Sequence, residues 1–192
     1  MGKVLLSIGS NIDQQHYITA ALDAFSGQFG ALLISSVYES VAIGFDGDNF
    51  YNLIVGIETE LSIGQLSSYL KALEDQNGRR RDCPRFSART LDIDILTYDD
   101  AVGTIDGILL PRQETLENAF VLLPLAELVP NEVHPVAKLN YKTLWQRYDR
   151  QQTLWPVSFV WQGQELTAKS LLVNRKSCHQ PEVAMSKVAG QI

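Results

Sequence analysis

Residues 79–96 read Arg-Arg-Arg-Asp-Cys-Pro-Arg-Phe-Ser-Ala-Arg-Thr-Leu-Asp-Ile-Asp-Ile-Leu, five arginines followed by two aspartates set into an apolar run. Leu91, Ile93 and Ile95 alternate with Asp92 and Asp94, the period-two pattern of a strand. Side chains at i and i+2 leave a strand on one face, so both carboxylates point the same way. At a rise of about 3.3 Å per residue their roots lie about 6.6 Å apart, a spacing that suits a pair of divalent ions about 3.5–4 Å from each other. Without cations the two would repel, and in a dry cleft one would tend to keep a proton. Arginines arriving from the preceding loop suit a polyphosphate, because each guanidinium is planar and donates in pairs. The stretch reads as a site for a metal-bound polyphosphate nucleotide.

Each feature alone has a plainer explanation. An Asp-x-Asp on a strand is commonly the wet face of an edge strand, and arginine runs are commonly solvated loops. Their adjacency decides the matter, together with the apolar neighbours, which predict a central strand where unpaired charges are costly.

The elements that must position this stretch follow in order. Residues 4–8 form a first strand ending in Gly9-Ser10-Asn11, where a tight turn starts a helix with Ser10, Asn11 or Asp13 as its cap. Ile18, Ala21, Leu22 and Phe25 fall at helical spacing over residues 14–28, and Gly30 closes that helix. A second strand is expected over 31–40, a Gly- and Asp-rich loop over 41–48, and a third strand over 50–58. An amphipathic helix over 62–76 has Ser62 as cap, an apolar stripe of Leu66, Tyr69, Leu70 and Leu73, and Gly78 at its end. After the aspartate strand come a turn at 98–103, a short apolar segment at 108–111 and a helix over 116–128, which Pro124 is expected to split or kink. Residues 154–166 suggest a hairpin about Gln162-Gly163, and from about residue 174 the chain reads as a mobile tail. The order β-α-β-β-α-β is that of a split βαβ sheet with helices on it.

The whole chain sets limits. Its 192 residues, 45% hydrophobic, suffice for one domain with a sizeable core. A net charge of −6 argues against general nucleic-acid binding. Against that background the arginine cluster suits a small anionic ligand. Cys83 and Cys178 lack metal-ligand spacing, and His16, His134 and His179 are scattered, which predicts surface or capping roles. The N-terminal apolar stretch is too short for a signal peptide, nothing approaches the ~20 apolar residues of a membrane span, and Leu6 stands where a myristoylation motif needs Ser or Thr. A cytoplasmic protein is expected, a monomer with no nucleic-acid or membrane partner.

Glu74-Asp75-Gln76-Asn77-Gly78-Arg79, continued by Arg85-Phe86-Ser87-Ala88-Arg89-Thr90-Leu91-Asp92-Ile93-Asp94-Ile95-Leu96, resembles the signature of the 6-hydroxymethyl-7,8-dihydropterin pyrophosphokinases. The spacing from Gly78 to Asp94 matches without gaps, and Ser87 stands where the family has Gly or Ala. That family moves the terminal pyrophosphate of ATP onto the pterin hydroxymethyl group in folate biosynthesis, giving AMP. The resemblance covers about residues 3–150 and implies an α+β, ferredoxin-like core with an antiparallel-rich sheet. It sets residues 1–160 as the catalytic domain and 161–192 as a partly mobile extension.

The resemblance also implies a site. Asp92 and Asp94 would hold two Mg²⁺, and with Arg79 and Arg89 would be the catalytic set. Glu74, Arg79, Arg81, Arg85, Arg89, Ile95 and Arg112 would meet the nucleotide, with the loop 82–88 closing over bound substrates. Ser40, Ala42, Ile43, Phe50, Asn52, Asp92 and Phe120 would meet the pterin, the two phenylalanines as walls and Asn52 at its edge. By composition alone those phenylalanines read as ordinary core. Departures cluster in the nucleotide shell: Arg112 and Gln113 replace His and Tyr, Asn118 replaces Arg, and Gly107 and Leu109 stand near the expected ribose contact. Two functions follow, an active pyrophosphokinase or a pterin-binding paralogue without kinase activity that serves as sensor or partner subunit. A nucleotidyltransferase built on Gly9-Ser10 and Asp92-x-Asp94 fails on spacing.

Overall fold

The structure is a computed structural model that describes residues 1–42, 47–79 and 88–173. Strand β1 (Gly2–Ser10) runs into helix α1 (Gln14–Phe29), whose buried Ile18, Ala21, Leu22 and Phe25 are the expected stripe. Gly30 ends α1 at φ 78, a conformation that only glycine adopts freely. Asp13 holds the cap position, without a side-chain cap bond.

The single strand expected over 31–40 is two short ones, β2 (Leu33–Ile34) and β3 (Tyr38–Ser40). The break lies at Ser35. Its N–H donates to Ile54 O at 3.0 Å, while its hydroxyl accepts from Ile54 N at 2.9 Å, so a side chain takes over one rung of the ladder. Strand β4 (Phe50–Thr59) follows, then α2 (Ile63–Gln76), which Ser62 and Gln65 cap reciprocally. Strand β5 (Asp92–Tyr98) carries both aspartates, and a hairpin of β6 (Gly103–Ile105) and β7 (Ile108–Leu110) succeeds it.

The helix expected over 116–128 is divided, though not by Pro124. Its pieces are α3 (Glu114–Glu117) and α4 (Ala119–Leu128), and the break is Asn118 at φ −113, ψ 122. Pro124 stays within α4 and costs only the helical partner of the Phe120 carbonyl. Beyond α5 (Tyr141–Arg147) the first arm of the expected hairpin is broken: strand β8 (Leu154–Pro156) pairs with β3 in the main sheet, and only β9 (Val160–Trp161) and β10 (Gln164–Glu165) form the hairpin, before α6 (Lys169–Val173). The expected tail from 174 lies outside the described residues.

The sheet runs β5-β1-β4-β3-β8, with β2 also on β4, and every pairing is antiparallel. The architecture is α+β. One sheet face packs Val4, Leu6, Ile8, Leu53, Val55, Ile57, Ile93 and Ile95 against α1 and α2. On the other, Leu5, Ile54 and Leu96 pack against Val121, Leu122 and Leu125 of α4 and Tyr141 of α5. Each such side chain fully removed from water contributes about 1.5–3 kcal/mol.

One expectation needs correction. The aspartate strand is not central but ends the strand order. It tolerates that place because α2 serves its outer edge: Ile93 N donates to Glu74 Oε1 at 2.7 Å, and Arg79 donates to Leu91 O at 3.0 Å. Of the surface or capping roles expected of the histidines, His134 takes the second. It is buried beside Tyr141, and its Nδ1 accepts from the amides of Val136 and Ala137, so it caps a turn from within. Burial holds its pKa below the ordinary histidine value, which keeps Nδ1 free to accept.

Candidate active site

The second face of the sheet is only half covered. Register across the strands aligns Asp92 with Gly9, Gly9 with Asn52, and Asn52 with Tyr38. Ser7 aligns with both Asp94 and Ile54. Period-two alternation then puts Asp92, Asp94, Ser7, Gly9, Asn52, Phe50 and Ser40 on the same side as Leu5, Ile54 and Leu96. The apolar part of that side lies under α4; the polar part carries the chemistry.

Asp92 is held from two directions. Arg79 donates to its Oδ1 at 2.7 Å, and Arg89 donates to its Oδ2. Asp94 pairs with Arg112, Nη2 to Oδ1 at 2.9 Å, and the same guanidinium lies 3.4 Å from Glu114 Oε2. Arg112 reaches Asp94 because its main-chain N donates to Leu96 O at 2.8 Å, two residues along the same strand face. Burial, then the neighbouring Asp92 charge, push the Asp94 carboxyl up to about 6, with Arg112 pulling it back down. Its side chain keeps 36% exposure, so water moderates the effect.

Glu74 is 4% exposed and binds Ile93 N, midway between the aspartates, while its main-chain O accepts from Arg79 N at 3.0 Å. It therefore fixes the strand from behind. Ile95 places its side chain in the α1/α2 core, away from the carboxylates.

On β4, the buried Asn52 donates to Ser40 Oγ at 3.0 Å, to Phe50 O at 3.2 Å and to Tyr38 O at 3.4 Å. Phe50 is half-buried and Ala42 lies two residues beyond Ser40. Phe120 packs at the start of α4 against the Leu5-Ile54-Leu96 cluster. Ile43, Arg81, Arg85 and most of the expected lid, 82–87, lie outside the described residues.

Three residues went unassigned by sequence reasoning. Gly9 sits in β1 between Asp92 and Asn52, and a Cβ there would meet Asn52 Oδ1 at 3.6 Å and Phe50 Cδ1 at 3.8 Å. Its bare backbone leaves a floor two strand spacings wide, about 9.5 Å. Ser10 Oγ donates to Thr90 O at 2.6 Å, and Asn11 Oδ1 accepts from Arg89 N at 2.7 Å. The signal was present in Gly-Ser-Asn, but a turn and helix start explained it fully.

Metal binding can be tested on the donors themselves. Among the described residues no group of three or more His, Cys, Asp or Glu converges, so a closed protein cage is absent there. Mg²⁺ needs none, since it is commonly bound by one or two carboxylates with substrate phosphates and water. Two carboxylates on one face, one of them hard to ionise without a cation, fit that donor set.

Comparison with known proteins gives the same family as the motif. The profile of 7,8-dihydro-6-hydroxymethylpterin-pyrophosphokinase (HPPK) matches residues 5–130. The 2-amino-4-hydroxy-6-hydroxymethyldihydropteridine pyrophosphokinase of Aquifex aeolicus is 32% identical over 158 residues, 81% of this chain and 96% of that protein. Its namesake in Pseudomonas aeruginosa is 35% identical over 133 residues, 67% of this chain and 82% of that protein. The bifunctional protein FolKE of Lactococcus lactis is 34% identical over 145 residues, and this chain spans 41% of its length. Among solved structures, HPPK-DHPS of Plasmodium falciparum superimposes with a TM-score of 0.61 at 15% identity, over 77% of this chain and 44% of that one, a likeness of fold. With the profile covering more than half its length, the chain belongs to the 7,8-dihydro-6-hydroxymethylpterin-pyrophosphokinase family.

Proposed function

We propose that this protein transfers the terminal pyrophosphate of ATP to 6-hydroxymethyl-7,8-dihydropterin, releasing AMP, as a step of folate biosynthesis. One observation carries the reading: arginine-clamped carboxylates and a buried, hydrogen-bonded Asn52 share one sheet face across a glycine floor. The pterin hydroxymethyl oxygen bonds to the β-phosphorus, the bond from that phosphorus to the α–β bridging oxygen breaks, and AMP keeps the electron pair. The hydroxyl proton passes to solvent water. Such a step needs charge neutralised, oxygens aligned and water kept out.

The residues divide that labour. Asp92 and Asp94 would hold two Mg²⁺, which supply charge neutralisation on the phosphates. Arg79, Arg89 and Arg112 would pass from carboxylates to phosphate oxygens when nucleotide arrives, and Arg81 and Arg85 would join them. Glu74 would act at the nucleotide side mainly by holding the strand, and Ile95 could offer only its main chain. Asn52, Ser40, Ala42 and Ile43 would meet the pterin edge, with Phe50 and Phe120 as its walls.

The same reading takes the sheet as ferredoxin-like, supported by the order β5-β1-β4-β3 with two interleaved βαβ units. Residues 1–160 are taken as the catalytic domain and 161–192 as an extension. The described part of that extension is joined to the rest of the chain by Trp161 Nε1 donating to Asp23 and Val37 N donating to Thr167. No helix among the described residues is long and apolar enough to cross a membrane, and a cytoplasmic monomer is proposed.

A second reading, pterin binding without transfer, draws on the Arg112–Asp94 pair, which occupies a proposed metal ligand. One assay separates the two. Purified protein with ATP, fresh reduced pterin and Mg²⁺ should release AMP in step with pterin consumed. Release of ADP, or pterin bound without turnover, would overturn the pyrophosphokinase reading.

A further inference from the structure

Asn11 joins the two strands that carry the site, and it does so with every polar atom of its amide. Its Oδ1 accepts from Arg89 N at 2.7 Å, its own main-chain N donates to Arg89 O at 3.1 Å, and its Nδ2 donates to Asp48 O at 3.1 Å. Arg89 lies three residues before Asp92 and binds that carboxylate. Asp48 lies two residues before Phe50 and four before Asn52. One side chain, 2% exposed, therefore spans from the entry of the carboxylate strand to the entry of the Asn52 strand. Helix capping does not account for it, since Asp13 holds the cap position.

Neighbouring contacts divide the same labour unequally. Ser10 Oγ donates to Thr90 O at 2.6 Å and to Ile12 O at 3.1 Å, which anchors the carboxylate side alone. Gln14 Nε2 donates to Asn49 O at 3.0 Å, which anchors the other side alone. Only Asn11, among these three, reaches both.

We propose that Asn11 is a positioning residue for the transfer, fixing the distance between the phosphate-binding Arg89 and the pterin-binding Phe50 and Asn52. The proposal rests on the functional reading above. Nucleophile and phosphorus must meet within about 3–3.5 Å, and displacement of about 1 Å costs about a hundredfold in rate. A side chain that sets the spacing of the two substrate walls acts on both affinities at once.

The test is calorimetry with a non-hydrolysable ATP analogue plus Mg²⁺, and separately with the pterin, on wild type, Asn11→Ala and Ser10→Ala, well below each melting temperature. Asn11→Ala should weaken both ligands by about tenfold or more, about 1.4 kcal/mol each. Ser10→Ala should weaken the nucleotide analogue and leave the pterin within about twofold. Should Asn11→Ala fail to fold, Asn11→Asp keeps the acceptor for Arg89 N and gives up the donor to Asp48, and it should weaken the uncharged pterin by about tenfold. A melting point lowered with both affinities intact, or pterin affinity unchanged in Asn11→Asp, would overturn the proposal and leave Asn11 a purely structural residue. If wild type binds neither ligand, the functional reading falls first and this role with it.

Discussion

The two faces of the sheet are made from the same strands and have opposite fates. Toward α1 and α2, each of β1, β4 and β5 presents branched aliphatic residues, and every one is buried. On the far side the same strands present Leu5, Ile54 and Leu96 near α4, then Ser7, Gly9, Asn52, Asp92 and Asp94 beyond it. The first face is a finished core. The second is finished for half its length, and where the helix stops the side chains become charged, small or amide-bearing. A sheet can hold such charges because the apolar face already supplies its packing energy.

The two faces differ most sharply at the carboxylates. Asp94→Ala should lower kcat by about a thousandfold or more, at least ~4 kcal/mol of barrier, while the protein stays folded and its Tm rises, because an ill-solvated charge is removed. Asp92→Ala should cost the same activity but lower Tm, since Arg79 and Arg89 would each lose a partner. Thermal melts beside steady-state rates check both. Equal Tm shifts for the two would refute the unequal neutralisation described above.

Next in size is the opposite experiment on the other face. Leu53→Ala, a fully buried position in the α1/α2 core, should cost about 2–5 kcal/mol of stability in denaturant titration. The fraction still folded should keep near-normal kcat. A large loss of kcat per folded molecule would mean that the faces are not separable.

Arg112→Ala should weaken ATP binding by about tenfold, ~1.4 kcal/mol, with pterin affinity unchanged. Because arginine stays charged, wild-type ATP affinity should vary little between about pH 6 and 8, where a histidine would titrate. Equal ATP affinity in the variant, by calorimetry, would remove Arg112 from the nucleotide side.

A further effect is on stability against pH. The Asp94 carboxyl titrates near 6 in the fold and near its ordinary 3.8 when unfolded. Between those values the folded state binds more protons, so its stability falls as pH rises from about 4 to about 6. The Tm of wild type relative to Asp94→Asn should decline across that window. A flat difference would show that Asp94 ionises normally.

How much of this was legible in the chain differs between the two faces as well. Period-two alternation at 91–96 and helical spacing at Ile18, Ala21, Leu22 and Phe25 gave the core face directly, because burial imposes a simple period. The carboxylates and arginines were equally plain. What the sequence could not show was partnership. Nothing near Ser35 marks a hydroxyl that replaces a backbone acceptor. Nothing near Glu74 says that it will guard the open edge of β5, which is why that strand read as central. Asn11 read as a helix start because its true partners, Arg89 and Asp48, are distant in the chain. Pro124 drew the helix break toward itself, whereas Asn118 made it.

The central claim is that the half-covered face moves a pyrophosphoryl group. The direct measurement uses ATP labelled at the β-phosphorus, reacted with reduced pterin and Mg²⁺ and separated after a single turnover. The label should leave the nucleotide entirely and appear in the pterin product, with unlabelled AMP remaining. Label retained in ADP, or in untouched ATP while pterin is bound, would contradict it.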